Sequence, residues 1–154
     1  MRTIVVKRPA TIVLLLLATA AIFFVTVDLG GKSYSKIDPV PFEDLRHLAH
    51  RLQRHPVSTE IMAVILVPIA GNVLLFLPWG FLLFLSLYTA DRPTVQTYVL
   101  TVLLGFTLSV AIEGWQYFLP SRVADVNDVI WNTVGTTLGA LLGHLRVRVR
   151  FEFE

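Results

Sequence analysis

The stretch "IEGWQYFLPSRVADVNDVIWNTVG", residues 112–135, sits between two long apolar runs yet holds one Glu, one Gln, one Arg, two Asp and two Asn. It decides the fold, because the runs on either side read as helices and this is their junction. The whole chain is 55% apolar and only 16% charged, whereas soluble domains average about 25% charged residues. Charge is sparse along its length, as expected of an integral membrane protein. At 154 residues the default is one domain. Net charge is +2 with no continuous basic patch, which argues against a nucleic-acid partner. There is no cysteine, so disulfide and thiol chemistry are excluded.

Outward from the junction, charge-free runs cover 10–27, 61–90, 93–112 and 129–145, counting His144 as neutral. A helix crosses a bilayer with roughly 17–25 mostly apolar residues. Four transmembrane helices are therefore expected, near 9–29, 61–89, 95–119 and 127–146. The fold class is all-α, a polytopic membrane protein with four transmembrane helices and one interfacial amphipathic helix. The runs are too continuous for the alternation of a membrane barrel. Basic Arg2, Lys7 and Arg8 followed by Ala18-Thr19-Ala20 resemble a signal peptide with its cleavage site. The apolar run continues through that site as "AIFFVTV", so a retained signal anchor is expected.

With the N-terminus inside, seven basic residues lie on the inner side and six on the outer. Those closest to the first and fourth spans favour both termini inside, and close flanks count most. The one long connection carries "PFEDLRHLAHRLQRHP". Phe42, Leu45, Leu48, Ala49 and Leu52 share one face; Glu43, Arg46, His47, His50, Arg51 and Arg54 share the other. Pro41 suits the first helical position and Pro56 a stop. This predicts an amphipathic helix lying on the membrane surface. Glu43, His47 and His50 have the spacing of metal ligands, but a solvated polar face accounts for them, and neither a metal nor a cofactor is expected.

Helical geometry at 100° per residue places Gly105, Ser109, Glu113 and Gln116 within about 80° of one another on the third span. Asp128, Asn132, Gly135, Gly139 and Gly143 share a face of the fourth, where glycines let backbones approach. Asn72, Trp79 and Ser86 follow one face of the second, which Pro68, Gly71, Pro78 and Gly80 would bend. Glu113 lies seven residues before Pro120, on the order of 10 Å deep, and Asn132 about 6 Å past Asp128. Asn72, Glu113 and Asn132 thus fall in one half of the membrane, with Arg122, Asp125 and Asp128 at the interface above. A carboxylate inside a membrane marks a functional-site candidate. The bland alternative is that these groups join helices by hydrogen bonds, that Arg122 pairs with Asp125 or Asp128, and that Asp125, Asn127 or Asp128 caps the fourth helix.

"NVLLFLPWGFLL" resembles the Asn-x5-Pro-x-Gly signature of the VanZ-like membrane protein family, in Asn72, Pro78 and Gly80. Its second signature is matched by Glu113 and Gln116, by Arg122, Asp125 and Asp128, and by Asn132, Gly135 and Gly139. The match spans about residues 60–145. It divides the chain into a signal anchor with loop helix (1–60), a VanZ-like core of three spans (61–146) and a charged tail (147–154). The resemblance implies a small multi-pass bacterial membrane protein; with the flanking charges above, the expected place is the cytoplasmic membrane with both termini cytoplasmic. The family's namesake is associated with low-level resistance to the glycopeptide teicoplanin.

Two functions follow. In the first, Asn72, Glu113, Gln116, Arg122, Asp125, Asp128 and Asn132 bind a lipid headgroup, a lipid-linked envelope precursor or a lipidated glycopeptide in an outer-half cavity. In the second, a membrane-embedded enzyme uses Glu113 as general acid or base on a lipid-linked substrate, with Asp125 and Asp128 holding a divalent cation or a water. The lack of cysteine, a Ser-His pair at known spacing, a phosphate loop or a His-rich motif weighs against the enzyme. A transporter would need more spans than four, which a homo-oligomer would supply.

Overall fold

The computed structural model describes residues 8–28, 37–53, 58–89, 91–120 and 122–148. Arg2, Lys7, Lys32, Lys36, Arg54, Pro56 and Arg150, used in the charge and boundary readings above, lie outside the described residues, as does most of the charged tail. Among the described residues the elements run α1 Arg8–Asp28, β1 Ile37–Asp38, α2 Glu43–Leu52, α3 Thr59–Leu87, α4 Thr94–Gln116, β2 Ala124–Asp125 and α5 Val126–Arg148.

α3 starts where Ser58 Oγ accepts the Ile61 N–H at 3.4 Å, and Glu60 in the first turn suits the helix dipole. It then runs through both Pro68 and Pro78 as one helix. α4 ends at Gln116, three residues before the expected 119. There the bonding tightens, with Phe118 N–H donating to the Trp115 carbonyl and Leu119 N–H to that of Gln116. Such three-residue closures wind the chain out of the α-helix ahead of Pro120.

Among the described residues three helices have the length and apolarity to cross a membrane, over Pro9–Thr26, Thr59–Leu87 and Thr94–Gln116. α5, the expected fourth, has 23 residues but is too polar to join them. Its inward face explains the shortfall. Asn132, Gly135, Thr136, Gly139 and Gly143 are buried, and Leu138, Leu141, Leu142 and Leu145 are left outside. A face that meets other helices needs close contact more than apolarity.

α5 packs chiefly on α3. A Cβ at Gly139 would collide with the Leu77 carbonyl, and one at Gly80 with the Thr136 carbonyl; at Gly135 it would stand 2.5 Å from the Val73 carbonyl oxygen. These glycines let the two backbones touch. Between α1, α3 and α4 the contact is apolar instead, built on Ile22, Phe76, Trp79, Leu83 and Ile112.

β1 pairs in parallel with β2, Ile37 beside Ala124 and Asp38 beside Asp125. The long loop after α1 and the turn before α5 therefore share one end of the bundle. At the other end Phe84 of α3, Tyr98 of α4 and His144 of α5 pack ring on ring, with centroids 4.9 to 6.1 Å apart.

α2 begins at Glu43, two residues later than Pro41 at the first helical position would require. Phe42 is its N-cap, in the left-handed region at φ 59° and without a side-chain cap bond. The cause is long-range, since the Phe42 N–H donates to Asn127 Oδ1 at 2.7 Å. Leu48 is buried and Leu45 half-buried, while Phe42, Ala49 and Leu52 remain exposed. Glu43 meets His47 at 3.4 Å on the solvent side.

Candidate functional site

Asp125 begins the site. Its Oδ1 accepts the Asn127 N–H at 2.7 Å and the Asn127 side-chain amide at 2.9 Å. It is thus the cap of α5, chosen from the three candidates, with its charge at the positive end of the helix. Its own N–H donates to Glu113 Oε2 at 2.9 Å, which fastens the α4 end to the α5 start. One turn on, Asp128 Oδ1 accepts from Asn72 Nδ2 at 2.5 Å, joining α5 to α3. Deeper, Asn132 Nδ2 donates to Ser109 Oγ at 2.9 Å, joining α5 to α4. Asn132 Oδ1 is buried without a hydrogen-bond partner among the described residues.

Gln116 and Arg122 turn toward α1. Gln116 Nε2 donates to the Thr26 carbonyl at 2.9 Å, and Arg122 Nη2 to that of Val25 at 3.1 Å. Those carbonyls belong to the last turn of α1, where helix acceptors lack internal donors and cations are favoured. Farther along α1, Trp79 Nε1 donates to Thr19 Oγ1 at 2.9 Å.

A cleft of about 120 Å³ opens at this end of the bundle, between α2, α3 and the start of α5. Asp125, Asn127 and Asp128 give it a polar side. Val64, Ile65, Pro68 and Ile69 of α3 form an apolar wall, with Phe42 and Leu45 as the cover and Trp131 between. The Phe42 and Trp131 rings meet edge to face at 6.1 Å. Of the seven residues expected to form a cavity, Asp125 and Asp128 line this cleft and Asn72 holds Asp128. Glu113, Gln116, Arg122 and Asn132 are not among the lining residues.

Phe42, Asn127 and Trp131 were not assigned to the site from sequence. Trp131 carried a usable signal, being three residues from Asp128 and so on its face. Phe42 carried none, because its place depends on a bond 85 positions away. No group of three or more His, Cys, Asp or Glu among the described residues is arranged to hold a metal ion.

These hydrogen bonds involve Asn72, Glu113, Gln116, Arg122, Asp125, Asp128 and Asn132 of the sequence signatures. A family model described as VanZ/LLP1 matches residues 11–147. The chain belongs to the VanZ-like family. No curated protein and no solved structure matches it significantly. In this VanZ-like chain the match extends over α1 and α2 as well as the three helices that carried the resemblance. Pro78 and Gly80 of the first signature differ in role: Gly80 is pressed on α5, and Pro78 is exposed on the outer side of α3.

Proposed function

We propose that this VanZ-like protein crosses the bacterial cytoplasmic membrane four times, α5 included, and binds the headgroup of a lipid or lipid-linked envelope molecule in the cleft beside α2. The cleft is the observation that carries the reading. It joins an apolar wall on a membrane-spanning helix to a polar side at the helix ends, which suits a molecule with a buried tail and a wet head. Val64, on that wall, is 74% exposed, so the wall continues onto the outer surface of α3. α2 lies along the interface, its partly covered apolar face toward lipid. A lipidated glycopeptide is an occupant of the same kind, which would connect the chain to the resistance associated with the family's namesake. Glu113, the group an enzyme reading would use, is not among the lining residues.

Native mass spectrometry of the purified protein after incubation with membrane lipid tests this. Ile65→Trp, which fills the cleft, is expected to remove the bound lipid. Leu103→Trp, on an exposed part of α4, is expected to leave it in place. Equal retention by both folded variants would refute the cleft as the binding site.

A further inference from the structure

We infer that the cleft selects a lipid whose headgroup ends in a primary ammonium. The inference rests on the cleft as the binding site and narrows its occupant. Among the ten lining residues are two Asp and no Lys, Arg or His. A phosphate or carboxylate pushed into the cleft would meet like charge in a low-dielectric setting, whereas an ammonium would meet opposite charge. Arg122, the cation expected to take a phosphate, is directed to the Val25 carbonyl and is not among the lining residues.

An ammonium has three N–H donors, and the Asp125 and Asp128 carboxylates on the polar side of the cleft are acceptors for it. Trp131 adds an indole, the aromatic ring that attracts a cation most strongly.

The cleft, at about 120 Å³, has room for an aminoethyl group. The exposed apolar wall identifies the source as a lipid, because a free amine would leave Val64, Ile65 and Ile69 without a partner.

Purified protein is exchanged into equimolar phosphatidylethanolamine and phosphatidylglycerol of matched chains, and bound lipid is read by native mass spectrometry. Phosphatidylethanolamine is expected to be enriched by about tenfold, the ratio expected from one charge-assisted hydrogen bond. Asp128→Asn is expected to abolish the preference. N-acetylated phosphatidylethanolamine, which keeps phosphate and chains but loses the charge, is expected to bind no better than phosphatidylglycerol. The last comparison uses only the wild-type protein and so holds even if the variant fails to fold. Equal binding of the acetylated lipid, or a preference for phosphatidylglycerol, overturns the inference. If Ile65→Trp still removes whichever lipid is bound, the cleft survives as the site while its headgroup assignment falls. Competition by free ethanolamine at equal concentration would overturn the lipid as the source.

Discussion

Glu113 Oε2 and the Asp125 N–H form one bond of 2.9 Å, and through it a buried carboxyl group on α4 sets the first turn of α5. Removing the acceptor leaves that N–H without a partner, and stranding a buried donor costs about 1–3 kcal/mol. Glu113→Ala should lose stability of that order in thermal unfolding followed in detergent. Glu113→Gln keeps a carbonyl oxygen in place and should lose less than half as much. Equal losses would mean that charge rather than hydrogen bonding holds the junction. Phe42 shows the opposite relation, a residue kept in an unfavourable conformation by its surroundings. Its left-handed backbone costs roughly 1–2 kcal/mol for a side chain of this kind. The Asn127 acceptor and the Trp131 ring hold it there.

Helix pairs in this bundle use two kinds of contact. α3 and α5 touch backbone to backbone through glycine, while α1 rests on α3 and α4 through large apolar side chains and a few polar clasps. The two respond differently to added bulk. Gly139→Ala places a methyl on the Leu77 carbonyl and the Phe81 nitrogen, both backbone and unable to turn aside. Overpacking of this kind costs about 1–3 kcal/mol, and the helices must separate to relieve it. Gly71, on the same α3, has nothing within 4 Å of an added Cβ. Gly71→Ala should leave the melting temperature unchanged or raise it, because alanine favours the helix by about 1 kcal/mol. A comparison of the two melting temperatures in one detergent decides this; a loss at Gly71 as large as at Gly139 would contradict the packing described here.

Across the whole molecule, the ends of the helices alternate. Ile37, Asp38 and Phe42 meet Ala124, Asp125 and Asn127 at one end, and the Phe84, Tyr98 and His144 rings meet at the other. The four crossings proposed above would place Asp91 on the side opposite Pro120. The chain has no cysteine, so single-cysteine variants report position without background. With both termini inside, Pro120→Cys should react with a membrane-impermeant maleimide on intact cells. Asp91→Cys should react only after the membrane is opened. Labelling of both from outside would show that α4 does not cross.

The apolar runs, the small-and-polar stripe of α4 and the glycine ridge of α5 were legible in the sequence because they depend on residue type and on 100° of turn per residue. So was the capping of α5, narrowed to three residues of which Asp125 is the one. The burial of Gly105, Ser109, Glu113 and Gln116 together follows from the same arithmetic. The partners of these groups did not. Spacing put Glu113, Gln116, Arg122 and Asn132 near one another, but folding gave each a different neighbour: the Asp125 backbone, two carbonyls of α1, and Ser109. A period along one helix states which residues share a face and nothing about what stands opposite. That was decided only when α1 returned beside α4 and when β1 paired with β2, bringing Phe42 to Asn127. The cleft has walls from three helices distant in sequence, so its charge and size exist only in the assembled bundle.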